Sequence, residues 1–368
     1  MKRVVDQLLP CTMVGSYARP RWYKRMSFGQ DIRQLLMEAS WREEYEDAVK
    51  AVINDQETAG LDIVSDGEMF EDDYLGGAGW PEYVVQRLGA SARSDQARMP
   101  MHRSPILAYF FDNVWPQVLL ANKLQHGPLR FAYLYEQAVR FAQRPVKASF
   151  IDPQLAAGFF HDTHYGDRQA LVTDLVEIYR EEIGDLAAAG CPIYQSDLPP
   201  FAGLGMADAP QAAWEFATRA FNRMVDDAGD MQVWMHYCWG RPLGQLMRGA
   251  VGDFRPMFPR IFDANFHVLN LESCECLGSD MELLEQVPAD RGVALGVIDH
   301  RVLQVESAEQ VADRIRSAVK HVGPERLYLT TYCGLGSTLP RTIAFFKLKA
   351  MVDGARIVRA ELTGARQD

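Results

Sequence analysis

Residues 231–238 (MQVWMHYC) are an apolar run that ends in a histidine and a cysteine, His236 and Cys238. Because successive side chains of a β-strand point to opposite faces, these two would project to the same face. Three later apolar runs also end in polar residues, at Glu272, at Asp299 and His300, and at Cys333. A single buried cysteine more often packs as a small apolar side chain. Imidazole, thiolates and carboxylates at successive strand ends instead indicate a metal site, and histidine with cysteine favours zinc.

Eight strand-like runs lie along the chain, most of them followed by a segment with helical periodicity. The predicted strands are residues 11–17, 61–66, 145–151, 191–196, 231–238, 266–272, 293–299 and 326–333. Helical spacing is found over residues 32–59, 171–189, 212–227, 308–322 and 343–362, and Ser307 is a predicted N-cap. This alternation predicts an α/β fold, a (β/α)8 TIM barrel with its helices outside.

A barrel enzyme carries its functional residues at the carboxyl ends of the strands. Polar residues collect there in chain order, at Gly15 and Ser16, Asp66 to Glu68, Asp152, Asp197, His236 and Cys238, Glu272, Asp299 and His300, and Cys333. A doubly wound open sheet is the alternative, but it more often requires a glycine-rich phosphate turn, which the chain lacks. The distribution therefore favours the barrel.

The composition restricts the class of protein. The chain has 368 residues, 48% of them hydrophobic, and a formal net charge of −11. The acidic balance argues against a nucleic-acid partner, and no apolar run approaches the ~20 residues of a membrane span. With six cysteines and no recognisable signal peptide, a disulfide scaffold is not expected. We expect a cytoplasmic protein with no membrane partner.

Residues 69–143 do not follow the alternation. They include GGAGWPEY and an aromatic, helix-like run from residue 110 to residue 141. Long insertions after a barrel strand are usually lids or binding elements. We therefore expect a single (β/α)8 barrel over residues 1–368, with residues 69–143 as a lid or donor-binding element, or as an oligomer contact.

These motifs resemble those of the catalytic, C-terminal barrel of cobalamin-independent methionine synthase, within the wider group of zinc-dependent thiol alkyltransferases. The resemblance runs from VGSYARP (residues 14–20) to CGLG (residues 333–336), except over residues 69–143. Its most specific part is the pattern H-x-C, then E, then C. The zinc ligands that it implies are His236, Cys238, Glu272 and Cys333.

The resemblance also implies roles for other residues. In the family, the opening GS turn holds the carboxylate of homocysteine, which here would be Gly15 and Ser16. The SDGE motif and the aspartate of strand four hold its ammonium group, which would be Asp66, Glu68 and Asp197. On the residues alone, each of these carboxylates could equally be an N-cap or a solvated surface group. The family's DIH element appears as IDH, which implies catalysis by His300, the acid that assists methyl departure, next to Asp299.

The chain departs from the family pattern in three places. Leu198 stands where the family has a glutamate, and Tyr332 stands where it has an aspartate. The basic segment that cradles folate is not recognisable after Glu68. The methyl donor is therefore left open, and a donor carried by another protein is one candidate partner. The sequence PRWY (residues 20–23) also resembles the epoxyalkane:coenzyme M transferase branch.

The favoured function is zinc-dependent transfer of a methyl group to the thiol of homocysteine or a similar small molecule. Only the thiolate is a good nucleophile, and Zn²⁺ deprotonates a thiol that it binds. The alternative within the same chemistry is alkyl transfer to another thiol, such as coenzyme M. A porphyrinogen-decarboxylase-like enzyme needs no zinc, and a structural zinc site is typically closed and rich in cysteine. Both of these alternatives agree less well with the ligand set.

Overall fold

A parallel β-sheet forms the centre of the protein in a computed structural model, which describes residues 3–71, 80–88, 91–93, 118–238, 253–272, 281–336 and 339–364. Six of its strands are hydrogen-bonded in a continuous order along the chain. They are β3 (Lys147–Ile151), β5 (Ile193–Asp197), β6 (Gln232–Tyr237), β7 (Val268–Leu271), β8 (Gly292–Ile298) and β9 (Leu327–Thr331).

Two further extended segments close this sheet into a ring. Cys11 forms a parallel bridge with Leu329 of β9, and Val64 forms one with Val146 just before β3. The backbone N–H of Asp62 donates to the carbonyl of Cys11 at 2.9 Å and joins the two segments to each other. The predicted (β/α)8 barrel is thus confirmed, although its first two strands are paired only over short lengths.

The inside of the barrel is filled by side chains from alternate positions of the strands. One apolar layer consists of Ile63, Ile193, Trp234, Val268, Ala294 and Tyr328, all fully buried. Trp234 and Tyr328 pack edge to face across this layer, with ring centres 4.9 Å apart. Because this layer fills the barrel, the polar residues at the carboxyl ends of the strands rest on a rigid apolar base.

The helices surround the barrel. They are α1 (Ile32–Leu35), α2 (Ala39–Ala59), α3 (Trp80–Val85), α4 (Phe131–Val139), α5 (Pro153–Ala156), α6 (Arg168–Ala188), α7 (Phe201–Met206), α8 (Gln211–Met224), α9 (Ala308–Val319) and α10 (Arg341–Thr363). Ser307 caps α9 in a capping box with Gln310, as predicted. The predicted helix 32–59 is two helices, because Glu38 adopts an extended conformation between them. Among the described residues, no helix has the length and apolar character required to cross a membrane.

The insertion is shorter than residues 69–143, because α4 is the regular barrel helix between the second and third strands. It packs against α2 and α6, as a helix of the outer ring should. Of the run 110–141 that was predicted as helix-like, Phe131–Val139 is helical, as α4, whereas Val118–Leu120 forms a strand, β2, and residues 110–117 lie outside the described part. β2 pairs with β1 (Ser91–Arg93) and with β4 (Phe160–Asp162) in a second, small sheet. That the insertion acts as a lid or donor-binding element stays a prediction.

Candidate active site

Three of the four predicted metal ligands lie together at the carboxyl end of the barrel. His236 is near the end of β6, Cys238 directly follows that strand, and Cys333 lies just beyond β9. Their ligand atoms all lie within 4.8 Å of one another, and the two sulfur atoms are 3.4 Å apart. All three side chains are buried. We refer to these three residues as the His–Cys–Cys cluster.

The His–Cys–Cys cluster has the donor atoms that suit a zinc ion. Both ring nitrogens of His236 are buried with no hydrogen-bond partner in the described part of the chain, a costly arrangement unless something binds them. The sulfur–sulfur distance of 3.4 Å is well beyond the roughly 2.05 Å of a disulfide bond. One imidazole and two thiolates leave a fourth tetrahedral position, as catalytic zinc sites do.

Glu272, the fourth predicted ligand, lies beside the cluster but is directed to another partner. It directly follows β7, and its backbone N–H donates to the carbonyl of Tyr237 at 2.9 Å. Its Oε1 lies 3.4 Å from Nη1 of Arg301, and the two side chains are only 1% and 2% exposed. The structure therefore places Glu272 in a buried ion pair, and its role as a metal ligand stays a prediction.

Arg301 is a site residue that the sequence analysis did not identify. Its backbone N–H and its Nε donate to Oδ1 of Asp299, at 2.8 and 3.1 Å. Its guanidinium carbon lies 5.6 Å from the ring centre of Tyr332. Burial raises the pKa of Asp299, but the hydrogen bonds and charge of Arg301 outweigh it and hold that pKa below its ordinary value. Proximity to the IDH motif is the only sequence signal that could have indicated this arginine.

His300 is completely buried in the same turn, directly after Asp299 and the end of β8. The turn therefore brings His300, Asp299 and Arg301 to the carboxyl end of the barrel, where the cluster lies. The predicted acid role of His300 and the catalytic role of Asp299 are not tested by this placement and stay predictions.

The loops after the first two strands meet next to Cys333. The backbone N–H of Leu335 donates to the carbonyl of Ser16 at 2.7 Å. A side chain at Gly15, which has φ +57, would begin 3.4 Å from Oε1 of Glu68. The hydroxyl of Ser16 is buried with no hydrogen-bond partner among the described residues. The Ser16 hydroxyl and the buried Glu68 carboxylate therefore both lie beside the loop that follows Cys333.

Asp66 acts on Glu68 through the backbone. Its Oδ1 accepts a hydrogen bond from the backbone N–H of Glu68 at 2.9 Å. Glu68 has φ 57, a left-handed conformation that is unusual for a residue with a side chain. The Asp66 carboxylate thus supports the turn that directs Glu68, and direct contact between Asp66 and a substrate stays a prediction.

Asp197 lies at the end of β5, in register with His236 on β6. Ser149 Oγ donates to its Oδ2 at 2.8 Å, and Gln195 Nε2 donates to its Oδ1 at 2.7 Å. Burial raises the pKa of Asp197, against the opposing effects of the charge of His236 and of these hydrogen bonds. The predicted pocket carboxylate is therefore fixed in orientation beside the predicted metal ligands.

A buried lysine supports this carboxylate from inside the barrel. Lys147 Nζ donates to the carbonyl of Met13 at 2.7 Å and to Oε1 of Gln195 at 2.8 Å. Asn270 Nδ2 donates to the same Oε1 at 3.1 Å, so the Gln195 amide is fixed with its nitrogen toward Asp197. Burial lowers the pKa of Lys147 to about 8. The sequence analysis missed Lys147 and Gln195, whose signal was a polar residue inside an otherwise buried strand.

Comparison with known families gives a match over nearly the whole chain. The family described as "Cobalamin-independent synthase, Catalytic domain" matches residues 9–357. This range includes the His–Cys–Cys cluster, the pocket around Ser16 and the turn that carries Arg301.

Individual relatives agree with this match. The 2-hydroxypropyl-CoM lyase of Xanthobacter autotrophicus is 30% identical, over 98% of both chains. A methionine synthase of Sulfurisphaera tokodaii is 26% identical over 96% of this chain and 94% of its own. Among solved structures, a B12-independent methionine synthase from Shewanella sp. W3-18-1, in complex with selenomethionine, superposes with a TM-score of 0.79. It is 25% identical, over 97% of this chain and 99% of its own.

Proposed function

The chain belongs to the family of cobalamin-independent synthase catalytic domains, and on that premise we propose that it transfers a methyl group to the thiol of homocysteine or a similar amino acid in a zinc-dependent reaction. One observation carries the proposal: the buried His–Cys–Cys cluster lies at the same end of the barrel as the Glu68 and Asp197 carboxylates and the Ser16 hydroxyl, which has no hydrogen-bond partner among the described residues. We propose that these three residues form the amino-acid pocket. The cluster suits a thiol, and the pocket suits an amino acid.

In this proposal the His–Cys–Cys cluster holds the metal. A zinc ion bound there would lower the pKa of an incoming thiol, so that its sulfur is nucleophilic at neutral pH. The two cysteines, His236 and the surrounding apolar residues are buried, so they exclude water from the reacting sulfur. Glu272 is the predicted fourth ligand, and in the structure its carboxylate lies in an ion pair with Arg301.

The pocket beside the cluster would bind the amino-acid part of the thiol. The hydroxyl of Ser16, which has no hydrogen-bond partner among the described residues, would donate to a carboxylate. The carboxylates of Glu68 and Asp197 would accept hydrogen bonds from an ammonium group. Because Ser149 and Gln195 already fix the Asp197 carboxylate, little conformational entropy is lost when the substrate binds.

His300 would act as the acid. The sulfur attacks the methyl carbon, the bond from that carbon to the donor atom breaks, and the donor atom takes a proton from His300. Histidine suits this task because it exchanges protons near neutral pH. Asp299 would hold the turn in place, since its carboxylate accepts both hydrogen bonds from Arg301.

A second candidate is transfer of another alkyl group to a non-amino-acid thiol. The observation that favours it is the 2-hydroxypropyl-CoM lyase relative, which is 30% identical over 98% of the chain. The zinc chemistry would be the same, and the acceptor thiol and the alkyl donor would differ.

The test is a thiol-consumption screen with purified, zinc-loaded protein. Homocysteine and coenzyme M are each offered with a methylated folate, small methylated compounds and a short epoxide. We expect homocysteine to be consumed and methionine to form with at least one methyl donor. Consumption of coenzyme M with the epoxide, without any reaction of homocysteine, would instead support the second candidate. The donor, a protein carrier for it and a cytoplasmic location remain part of the proposal.

A further inference from the structure

We propose that Lys147 is a positioning residue that ties the two halves of the amino-acid pocket together, so that the site selects a thiol carrying both a carboxylate and an ammonium group. The two halves are the turn that ends at Ser16, for the carboxylate, and Asp197, for the ammonium group. This inference rests on the proposed function, because it concerns the same acceptor. It adds a residue that neither the sequence pattern nor the resemblance assigns.

The position of Lys147 is the first argument. It lies on β3 and is only 1% exposed. Its Nζ donates to the carbonyl of Met13 in the first strand at 2.7 Å and to Oε1 of Gln195 on β5 at 2.8 Å. Met13 lies three residues before Ser16, and Gln195 lies two residues before Asp197. One ammonium group therefore connects the strands that carry the two halves of the pocket.

The Gln195 amide is the second argument, because its direction is fixed. Its Oε1 accepts from Lys147 and, at 3.1 Å, from Nδ2 of Asn270. Its Nε2 donates to Oδ1 of Asp197 at 2.7 Å and to Oγ of Ser149 at 3.2 Å. Since Ser149 Oγ accepts this bond, its own proton is directed to Oδ2 of Asp197, at 2.8 Å. Both oxygens of the Asp197 carboxylate are thus held by donors, and the Gln195 amide ties them to Lys147.

The short pairing of the first strand is the third argument. Among the described residues, its bridge to β9 is an isolated one at Cys11. The backbone N–H of Val14 donates to Oγ1 of Thr331 at 3.1 Å, which holds the strand on its β9 side. Lys147 holds Met13 from the opposite side, that of β3. The turn that carries Ser16 is therefore placed relative to β3 and β5 as well as to β9.

The charges around Lys147 agree with this role. Burial lowers the pKa of Lys147 to about 8, against the opposing charges of Asp197 and Glu68. Its Nζ lies 5.2 Å from the ring centre of Trp234, a member of the apolar layer. At neutral pH Lys147 is therefore a cation between the apolar layer and the carboxylates. Its charge favours the amide direction in which Gln195 donates to Asp197.

The experiment compares the binding of three thiols to the zinc-loaded, full-length protein by calorimetric titration at neutral pH. Homocysteine carries both groups, aminopropanethiol lacks the carboxylate, and mercaptobutanoate lacks the ammonium group. The dissociation constants are measured for the parent and for Lys147→Met. Lys320→Met is the matched control, because it makes the same substitution at an exposed lysine.

With Lys147→Met, the two halves of the pocket lose their common anchor. A ligand with both groups must match two points at once, whereas a ligand with one group can move with the half that binds it. We therefore expect homocysteine to bind roughly tenfold more weakly and each truncated thiol to change by less than about threefold. An equal loss for all three thiols would indicate a general structural role and would overturn the proposal, as would unchanged binding of homocysteine.

Gln195→Met is decisive if Lys147→Met fails to fold, because it breaks only the link to Asp197 and leaves the bond from Lys147 to Met13. It should weaken the binding of homocysteine and of aminopropanethiol by roughly tenfold and leave mercaptobutanoate within about threefold of the parent. A loss of the same size for mercaptobutanoate would refute the inference.

The parent protein separates the two levels of the proposal. If it binds homocysteine no more tightly than the truncated thiols, the proposed amino-acid acceptor is wrong as well. If the parent is selective for homocysteine but Lys147→Met weakens all three thiols alike, only the role of Lys147 is contradicted.

Discussion

Asp197 and His236 are register partners on the neighbouring parallel strands β5 and β6. Adjacent strands are about 4.8 Å apart, so the predicted ammonium-binding carboxylate and a predicted metal ligand are separated by a single strand spacing. A thiol and an ammonium group bound at these two residues must belong to a short molecule. This relationship is the structural reason to expect a small amino-acid thiol as the acceptor.

Asp197→Asn should weaken the binding of homocysteine or reduce its turnover by tens of fold. A hydrogen bond to a charged group contributes about 1.5–3 kcal/mol, and the amide retains the size of the side chain while losing its charge. The KM for homocysteine and the rate of methionine formation measure the effect. Asp226→Asn is the control, because Asp226 is exposed on the surface. If Asp197→Asn binds homocysteine as tightly as the parent does, the acceptor is another thiol.

The purified protein should contain about one zinc ion per chain, and Cys238→Ser or Cys333→Ser should abolish this retention. A serine hydroxyl is a much poorer zinc ligand than a thiolate. Elemental analysis after dialysis against a weak chelator gives the stoichiometry, and circular dichroism checks that each variant is folded. Cys191→Ser is the matched control, since Cys191 is buried outside the cluster. Full zinc retention in both cluster variants would exclude the assigned ligands.

Methyltetrahydrofolate alone should be a poor methyl donor or none. The family's folate-binding segment is not recognisable after Glu68, where the chain instead contains the insertion. The measurement is methionine formation from homocysteine with this folate as the sole methyl source. Turnover near one per second, which is in the usual range for enzymes, would show that unrecognised residues build a folate site.

Lys147 should contribute an increase in the free energy of unfolding with pH above about 8, and this contribution should be missing in Lys147→Met. Burial lowers the pKa of Lys147 from 10.5 to about 8. Between these values Lys147 binds one more proton in the unfolded chain than in the folded chain, so its contribution to stability rises with pH, by at most about 3.4 kcal/mol. Urea unfolding at pH 7.5, 8.5 and 9.5 measures the slope. Parallel pH profiles for the parent and Lys147→Met would mean that Lys147 does not titrate in this window.

The cluster could be predicted from the sequence because two simple rules determine it. His236 and Cys238 are two residues apart on one strand, and a parallel barrel brings Cys333 to the same end although it lies far away in the chain. Arg301 could not be predicted. Its position depends on a non-periodic turn in which Asp299 accepts from the N–H two residues later, and hydrophobic periodicity carries no information about such turns.

The limits of the fold prediction have similar causes. The first two strands are paired only through isolated bridges at Cys11 and Val64, although their apolar patterns resemble those of the longer strands. α4 was included in the insertion because its aromatic residues continue the composition of the preceding segment. Its packing against α2 and α6 identifies it as one of the helices of the outer ring. Local sequence carries no information about packing between segments that are distant along the chain.

The seam at Cys11 and Leu329 has a consequence for how the protein is made. The first strand has no neighbour on one side until β9 has left the ribosome, since its partner lies in that strand. Helix α10 also contacts the segment before the first strand, because its Arg359 donates to the carbonyls of Leu8 and Leu9 at 2.8 Å each. Contacts of such long sequence separation form slowly. Until β9 emerges, a nascent chain therefore exposes unpaired apolar strand edges. We expect it to need protection from aggregation most during this stage of synthesis.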